Sequence, residues 1–355
     1  MFCLSMIFKD EEPRLARAIA SVRHLLSAYE LSDTGSLDDS FSQAEIAVAG
    51  LSGAIHHDDW RNFAHNRNLS LERARRHNLP ILFLDCDDEI FFGDPEQLGN
   101  WDVLTAWAYD GPLRHRRVLA VTPELPAFWE GDLHEHLTWD SSLAPKCVHS
   151  THLKVRYRHD GVRHQNRNDT TASDVEQLQR VPIHSPSYDR AKYYLARTLH
   201  HAGKVQQAIA AYTQYLSTRQ ICDETTFHSF LSLAALAEAA GSEPAGVLRY
   251  LDLAKSSRPN RVEPVVMAAR ILREAGNAEQ ALSVCIDALS DANVPDDDFV
   301  DVSYYGWRLY DELATSAILA DSYALGRTAT EKALAAPFLP KHDRARLLAN
   351  LSLIE

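Results

Sequence analysis

Apolar residues near the start of the chain follow two different spacings. Phe2–Phe8 is an apolar run that stops at charged residues, which is typical of a buried strand in a parallel sheet. Leu15, Ile19, Val22 and Leu26 then occur at intervals of four, three and four positions, so they share one face of a helix. The opening segment is therefore predicted to be a strand followed by an amphipathic helix.

The same alternation continues to about residue 90. It predicts a short strand near residues 29–32, a helix carrying Phe41, Ala44 and Ala47, a strand at residues 54–57, a helix at about 61–77, and a clear strand at 81–84. Repeated strand–helix alternation predicts an α/β domain whose mostly parallel sheet is covered by helices on both faces. Ligands of such sheets bind beyond the carboxyl ends of the strands, so we expect the functional site there.

From about Ser185 the pattern becomes purely helical. Gly203, Gly241 and Gly276 lie 38 and 35 residues apart, which is close to the tetratricopeptide period of about 34 residues. We therefore expect an α/β domain over residues 1–180 and an all-α domain of stacked tetratricopeptide-like hairpins over residues 185–355. The alternative is a helical bundle in which this spacing is coincidental.

Composition narrows the classes of function. The chain has 355 residues and a formal net charge of −13, which argues against broad electrostatic binding to nucleic acid or to an anionic membrane. The basic cluster of Arg114, Arg116 and Arg117 is interpreted as solvated surface. Five scattered cysteines fit free thiols in a reducing compartment. Since no apolar run approaches the roughly 20 residues of a membrane helix, we expect a soluble, cytoplasmic protein.

An acidic cluster, Asp85 to Glu89, directly follows the clear strand at residues 81–84. Carboxylates at alternate positions, such as Asp85 and Asp87, can coordinate a divalent cation, Mg²⁺ or Mn²⁺, from one edge of a sheet. Such a cation neutralises a diphosphate when it departs as a leaving group. The alternative interpretation is an ordinary helix-capping turn, in which aspartate is also common.

Five segments, in order, carry a family likeness. Residues 5–12 (SMIFKDEE) look like "S-M-I-V-K-N-E-E", residues 33–38 (DTGSLD) like "D-T-G-S-x-D", residues 62–68 (NFAHNRN) like "D-F-A-x-A-R-N", residues 84–89 (LDCDDE) like "L-D-A-D-D/E", and residues 129–137 (WEGDLHEHL) like "W-x-G-x-v-H-E-x-L". Together they resemble the family-2 glycosyltransferases of the GT-A fold, in the bacterial and phage subgroup with C-terminal tetratricopeptide repeats. Asp10 stands where the family commonly has Asn, and Asn66 replaces a small residue.

The resemblance implies a site for a nucleotide-diphosphate sugar. Asp33 would accept a hydrogen bond from the base, while Lys9 and Glu11 would line the same pocket. Arg67 would lie near the diphosphate, which a guanidinium suits geometrically. Asp85 would contact the ribose, or the metal through water. The alternatives are that Asp33 caps its own turn and that Arg67 is a surface helix residue.

The resemblance also implies a metal ligand set and a catalytic base. Asp87 would bind Mn²⁺ or Mg²⁺ directly, with Asp85 and His159 as further members of the metal site. Glu135 would be the general base that deprotonates the acceptor for attack with inversion. His134 would position Glu135 or the diphosphate. Without the resemblance, Glu135 reads equally well as a carboxylate at a helix start.

The function implied is an inverting glycosyltransferase, with a uridine diphosphate sugar as the favoured donor. The repeat domain would hold the acceptor, for which a protein or peptide side chain is favoured over a modified base of phage DNA or a saccharide. It could also form a homodimer. One rival is a non-catalytic tetratricopeptide adaptor with a degenerate nucleotide-sugar-binding domain, and another is a metal-dependent hydrolase of nucleotide sugars.

Overall fold

The computed structural model describes residues 1–91, 99–158, 160–161, 167–218, 223–291, 293–296 and 299–352. Its contacts divide the chain into two compact units. The sheet unit comprises Met1–Asp110 and His115–Tyr194, and the helical unit comprises Gly111–Arg114 and Leu195–Glu355. No helix among the described residues is both long and apolar enough to cross a membrane.

The sheet unit is built from strands and helices that alternate over its first ninety residues. The described strands up to residue 157 are β1 (Phe2–Phe8), β2 (Leu26–Asp33), β3 (Ser52–His57), β4 (Ile81–Phe83), β5 (Asp88–Phe91), β6 (Val103–Asp110), β7 (Leu113–Val121), β8 (Phe128–Glu130), β9 (His136–Thr138) and β10 (Cys147–Tyr157). The helices are α1 (Glu12–Val22), α2 (Ser40–Val48), α3 (Phe63–Arg75), α4 (Arg167–Arg180) and the start of α5 (Tyr188–His201).

The main sheet is mixed, with its strands in the order β3-β2-β1-β4-β7-β6-β10-β5. β1 pairs in parallel with β2 and β4, and β2 with β3, as predicted for these four strands. β6 also pairs in parallel with β10. β7 runs antiparallel to β4, and β5 runs antiparallel to β10, so the sheet as a whole is less uniformly parallel than expected.

Both faces of β1 are buried. Leu4, Met6 and Phe8 face a core shared with α1 and α2, whereas Cys3 packs with Leu71 of α3 on the other face. This two-sided burial is why β1 reads as an apolar run rather than an alternating strand. The expected coverage of the sheet by helices on both faces is thereby confirmed.

Strand β2 starts earlier than predicted. Leu26, which was expected on the face of α1, is the first residue of β2 and pairs with Phe2. The helix ends at Val22 and a single 3₁₀ turn, Arg23–Leu25, leads into the strand. Leu26 and Ala28 are both buried, so pairing with β1 overrides the helical spacing.

The helical unit consists of consecutive helices that pack on their neighbours in sequence. They are the rest of α5, α6 (Val205–Ser217), α7 (Glu224–Ala239), α8 (Pro244–Ser257), α9 (Glu263–Glu274), α10 (Ala278–Ala288), α11 (Trp307–Leu319), α12 (Tyr323–Ala335) and α13 (Lys341–Ser352). A short strand, β11 (Phe299–Asp301), precedes α11. The purely helical pattern expected from Ser185 is confirmed, apart from this strand.

The three glycines that suggested a repeat all lie just after helix ends. Gly203, Gly241 and Gly276 have φ values of 69°, 75° and 85°, and each backbone N–H donates to a carbonyl of the helix before it. Glycine adopts this left-handed conformation without the steric cost that a Cβ brings. The turn between α11 and α12 instead places Asp321 at a φ of 58°, so the glycine spacing does not reveal this hairpin.

Arg261 organises the interior of the helical unit. Its guanidinium is fully buried and donates to Glu263 at 2.6 Å, to Glu224 at 2.6 Å and to the carbonyl of Phe299 at 2.9 Å. It also lies 4.3 Å from the ring centroid of Phe227. One cation therefore connects α7, α9 and β11.

Replacing this cation should destabilise the protein strongly. We expect Arg261→Met to lower the free energy of unfolding by about 3–5 kcal/mol, because it leaves buried carboxylates without a partner. Urea denaturation followed by circular dichroism at 222 nm measures the loss. The matched control is Arg270→Met, whose ion pairs with Glu238 and Glu274 are partly exposed and should contribute at most about 1 kcal/mol each. Equal losses in the two variants would contradict the role given to Arg261.

Candidate functional site

The strand order reverses direction at β1, which lies between β2 and β4. Connections leave β1 and β4 toward opposite sides of the sheet, and this opens a crevice beyond their carboxyl ends. Residues 9–11 follow β1, residues 34–39 follow β2 and residues 84–87 follow β4. The acidic segments picked out in the sequence therefore meet at the one edge where an open α/β sheet binds its ligands.

Backbone hydrogen bonds join the segments after β1 and β2. Asp10 N–H donates to Ser36 Oγ at 3.1 Å, Glu11 N–H donates to Ser40 Oγ at 2.7 Å, and Leu37 N–H donates to Asp10 Oδ1 at 2.7 Å. Asp10 has a φ of 55°, a conformation that asparagine and aspartate tolerate better than most residues. The Glu11 carboxylate accepts from Arg14 of its own helix, and Lys9 is exposed.

Asp33 is buried at the end of β2, where its Oδ1 caps a turn. That atom accepts from the backbone N–H of Gly35 at 3.1 Å and of Ser36 at 2.8 Å. Its Oδ2 lies 3.6 Å from Nδ1 of His57. Oδ1 of Asp33 thus caps the turn, as the alternative interpretation held. Contact between Oδ2 and a nucleotide base stays a prediction.

Arg67 brings two predicted site residues together. From α3, its Nη2 donates to Asp85 Oδ1 at 2.6 Å and its Nε donates to Glu135 Oε1 at 2.7 Å. The guanidinium also lies 4.9 Å from the ring centroid of Trp129. The Arg67 side chain is 11% exposed, so the alternative of a surface helix residue does not hold.

Trp129 is held in place by the residue after Arg67. Asn68 Nδ2 donates to the Trp129 carbonyl at 2.8 Å, and its Oδ1 accepts from the Trp129 N–H at 2.7 Å. The side-chain amide of Asn68 thereby forms the same pair of hydrogen bonds with the Trp129 backbone that a neighbouring strand would form. These two bonds hold β8, and the segment that carries Glu135, against α3.

Both oxygens of Asp85 are bound by arginines. Its Oδ2 accepts from Arg117 Nη2 at 2.7 Å, while Oδ1 accepts from Arg67. Burial opposes ionisation, but the two guanidinium groups hold the pKa of Asp85 well below its usual range. Arg117 is 15% exposed and also pairs with Asp88, so its interpretation as solvated surface is wrong.

Asp87 lies in different surroundings from Asp85. No described lysine or arginine forms an ion pair with it, and burial together with the nearby Asp85 raises its pKa. Gly161 packs so closely that a Cβ there would approach Asp87 Oδ2 to 2.9 Å. A larger residue at position 161 would therefore make the Asp87 side chain shift.

The metal ligand set stays a prediction. His159, the third expected member of the metal site, lies outside the described residues. Within the described part of the chain, no three His, Cys, Asp or Glu side chains are already arranged to hold a metal ion. A cation at Asp87 would therefore take its remaining ligands from a diphosphate, from water or from side chains that move.

Asp88 is a buried carboxyl that the sequence did not distinguish from its neighbours. It begins β5 rather than lying in a loop, and it is 0% exposed. Its Oδ2 pairs with Arg117, whereas its Oδ1 has no hydrogen-bond partner among the described residues. Burial raises the pKa of Asp88 to about 7, although Arg117 opposes the shift.

A second layer of ion pairs lies around this cluster. Glu89 contacts Arg17 at 3.1 Å and Arg158 at 2.6 Å, and Arg17 donates to both oxygens of Asp160 at 2.7 and 2.9 Å. Arg17 was not singled out in the sequence. The only local signal is the position of Arg17 on the helix that follows the strand at the reversal point.

His134 and Glu135 have different surroundings. The His134 ring stacks on Tyr194 with 4.0 Å between centroids, and the His134 carbonyl accepts from Arg190 Nε at 2.9 Å. Its backbone φ is 56°, a rare conformation for histidine. The Glu135 side chain pairs with Arg67. The structure therefore brings Glu135, Asp85 and Arg67 together, whereas His134 contacts α5.

Among the comparisons with known proteins, the search of solved structures gave matches. No protein-family model matches the chain, and no curated protein matches it. Solved structures that are similar include BtubC from P. vanneervenii, at 16% identity over 54% of this chain and 82% of that one, with a TM-score of 0.42. They also include MamA from Desulfovibrio magneticus RS-1, at 12% identity over 53% and 88%, TM-score 0.35.

A tetratricopeptide protein from Thermus thermophilus is similar as well, at 16% identity over 53% of this chain and 94% of that one, with a TM-score of 0.36. These likenesses cover about half of the chain and concern the fold alone. None of the three is described as a glycosyltransferase.

The shared cation Arg67 yields a stability prediction. We expect Arg67→Gln to lower the free energy of unfolding by about 2–5 kcal/mol, because Asp85 and Glu135 would lose their buried partner. Urea denaturation measures this. Arg158→Gln is the matched control, since Arg158 is 40% exposed and its pair with Glu89 should contribute at most about 1 kcal/mol. A loss below that of the control would sink the interpretation.

Asp88 yields a prediction about pH. Its folded pKa lies above the unfolded value, so the folded state binds more protons and the contribution of Asp88 to stability falls as pH rises from about 4 to 7. Asp88→Asn removes the titrating carboxyl and with it this pH-dependent contribution to stability. The stability of Asp88→Asn relative to the parent protein should therefore rise across that range, by on the order of a few kcal/mol. Denaturation at pH 4.5, 6 and 7.5 measures it, and a flat difference would contradict the assignment.

Proposed function

We propose that the sheet unit binds a nucleotide-diphosphate sugar and that the helical unit binds a protein partner, with glycosyl transfer to that partner as the reaction. The observation that carries the first part is the position of Asp87, a carboxylate without a cationic partner among the described residues, at the carboxyl edge of the reversal point. The second part is supported by the repeated helical hairpins, which expose long surfaces suited to peptides.

The charge of the site favours a divalent cation. Asp85, Asp87, Asp88 and Glu135 are four carboxyl groups that share two buried guanidinium groups, those of Arg67 and Arg117. With all four ionised, the cluster carries an excess of two negative charges. Mn²⁺ or Mg²⁺ held by Asp87 would offset this excess and would neutralise the diphosphate as it leaves.

Arg67 links donor binding to the proposed base. A diphosphate beside Arg67 would compete with Asp85 and Glu135 for its guanidinium, since phosphate oxygens match its donors well. Glu135 would then lose its ion pair and become able to accept a proton. Its carboxylate would take the proton of an acceptor hydroxyl as that oxygen attacks the anomeric carbon, while the bond from that carbon to the diphosphate breaks. The sugar would be transferred with inversion.

The donor base is proposed to be uracil, contacted by the Oδ2 of Asp33, beside the segment containing Lys9 and Glu11. Lys9 is exposed at the end of β1 and could reach a ribose or a phosphate. Protein or peptide side chains are the favoured acceptors, with a modified DNA base or a saccharide as alternatives. His134 would act by positioning the Glu135 segment through its contact with Tyr194.

A non-catalytic adaptor is the second candidate. Two observations favour it: both oxygens of Asp85 are already bound by arginines, and the similar solved structures include helical-repeat proteins. In this case the sheet unit would bind a nucleotide sugar weakly or not at all. The ion pairs of Arg67 would be a permanent structural feature.

Donor binding is tested by thermal stabilisation with uridine diphosphate and its sugars, with and without Mn²⁺. We expect stabilisation that requires the metal, about 2.7 kcal/mol at a hundredfold excess over Kd, and its loss in Asp87→Asn. Asp140→Asn is the matched control, because Asp140 is an exposed carboxylate on the same unit. If no nucleoside diphosphate stabilises either the parent protein or Asp140→Asn, the donor site is rejected and the adaptor is favoured.

A further inference from the structure

A groove on the helical unit has the properties of a ligand site. It has a volume of 390 Å³ and is lined by residues of α9, of the segment before α11, of α11 itself and of the start of α13. That volume lies in the range of pockets that hold small ligands, roughly 300–1,000 Å³. Its walls combine apolar side chains such as Met267 with aromatic rings and charged groups.

Each carboxylate that lines the groove has an arginine partner. Asp311 pairs with Arg346 at 2.7 Å and Glu312 pairs with Arg273 at 2.9 Å. Asp343 shares the same Arg346 at 2.8 Å. The three acids thus share two arginines, and none of them is left without a cationic partner.

The two arginines that line the groove differ. Arg270 pairs with Glu238 at 2.7 Å and with Glu274 at 2.9 Å. Arg308 forms no ion pair with any described carboxylate, and its Nε donates to the hydroxyl of Ser303 at 2.9 Å. The charge of Arg308 is thus left for a ligand.

Aromatic side chains hold the Arg308 guanidinium in place. Its Cζ lies 4.7 Å from the ring centroid of Trp307 and 5.0 Å from that of Tyr304. Stacking of this kind fixes the plane of the cation before a ligand arrives, which lowers the entropic cost of binding. Trp307 is 6% exposed, and its Nε1 donor is buried without a partner among the described residues. The cation of Arg308, held in place and without an ion pair among the described residues, favours an acceptor that carries negative charge.

We propose that this groove binds an acidic side chain of a peptide segment in a partner protein. The carboxylate would pair with Arg308, and an apolar neighbour in the peptide would pack on Met267. This inference rests on the proposed partner-binding role of the helical unit and does not depend on glycosyl transfer.

The test uses the full-length protein and a displayed library of random decapeptides with a blocked C-terminus, so that any carboxylate comes from Asp or Glu. Selected peptides should be enriched in an acidic residue beside an aliphatic or aromatic one. The most enriched peptide, labelled with fluorescein, is then titrated by fluorescence anisotropy. We expect Arg308→Gln to weaken binding at least about tenfold, and an Asp-to-Asn or Glu-to-Gln change in the peptide to do the same.

Arg249→Gln is the matched control, because it removes one exposed arginine of α8 outside the groove and should leave binding unchanged. Circular dichroism checks that Arg308→Gln is folded. If Arg308→Gln is not folded, Arg308→Lys replaces it. This variant keeps the charge but loses the planar stack, so its affinity for the peptide should be lower than that of the parent protein but still measurable. Selected peptides without acidic residues, or binding to Arg308→Gln within twofold of the parent protein, would overturn the proposal. Metal-dependent stabilisation by uridine diphosphate should be the same in Arg308→Gln, so the two proposals fail separately.

Discussion

The architecture of the sheet unit depends on a single guanidinium that two carboxylates share. Arg67 comes from α3, Asp85 follows β4 and Glu135 precedes β9, so three distant segments meet at one buried cation. Removing one member of such a group leaves a charge in a poorly solvated place, so the arrangement forms or fails as a whole. The position of Asp87 beyond the sheet edge, and the chemistry proposed there, follow from this arrangement.

The two units use buried arginines in the same way. Arg261 neutralises acids inside the helical unit, as Arg67 and Arg117 do in the sheet unit. Each proposed ligand site contains a charged side chain that forms no ion pair with another described residue: Asp87 beside the sheet edge and Arg308 in the helical groove. The proposed ligands follow from the signs of these two groups: a cation for Asp87 and a carboxylate for Arg308.

Local spacing was sufficient to predict β1, α1, α3 and the strand that leads to Asp85. It was insufficient for β2, because this strand carries Glu30 toward the interior, where the carboxylate meets His56 at 2.6 Å and His77 at 2.7 Å. A hydropathy pattern treats such a residue as polar and exposed, because the histidines that pair with its carboxylate are distant in sequence.

Distance in sequence between interacting residues also explains which site residues could be predicted. Strand ends predicted that Asp85 and Asp33 share an edge, because parallel strands end together. The family resemblance added Arg67 and Glu135. Arg117 was misread because its partners, Asp85 and Asp88, lie about thirty residues before it and become neighbours only through the antiparallel pairing of β4 and β7.

The division into units does not follow the order of the chain. Residues Gly111–Arg114 belong to the helical unit, where the Pro112 carbonyl accepts from Val302 N–H at 3.0 Å and Arg114 Nη2 donates to the Pro295 carbonyl at 2.6 Å. A protein cut after Tyr194 would carry these four residues without the backbone groups that bind them. The helical half, for its part, would lack four residues of its own unit. A continuous stretch of sequence therefore contains the whole helical unit only if it also contains residues 115–194 of the sheet unit.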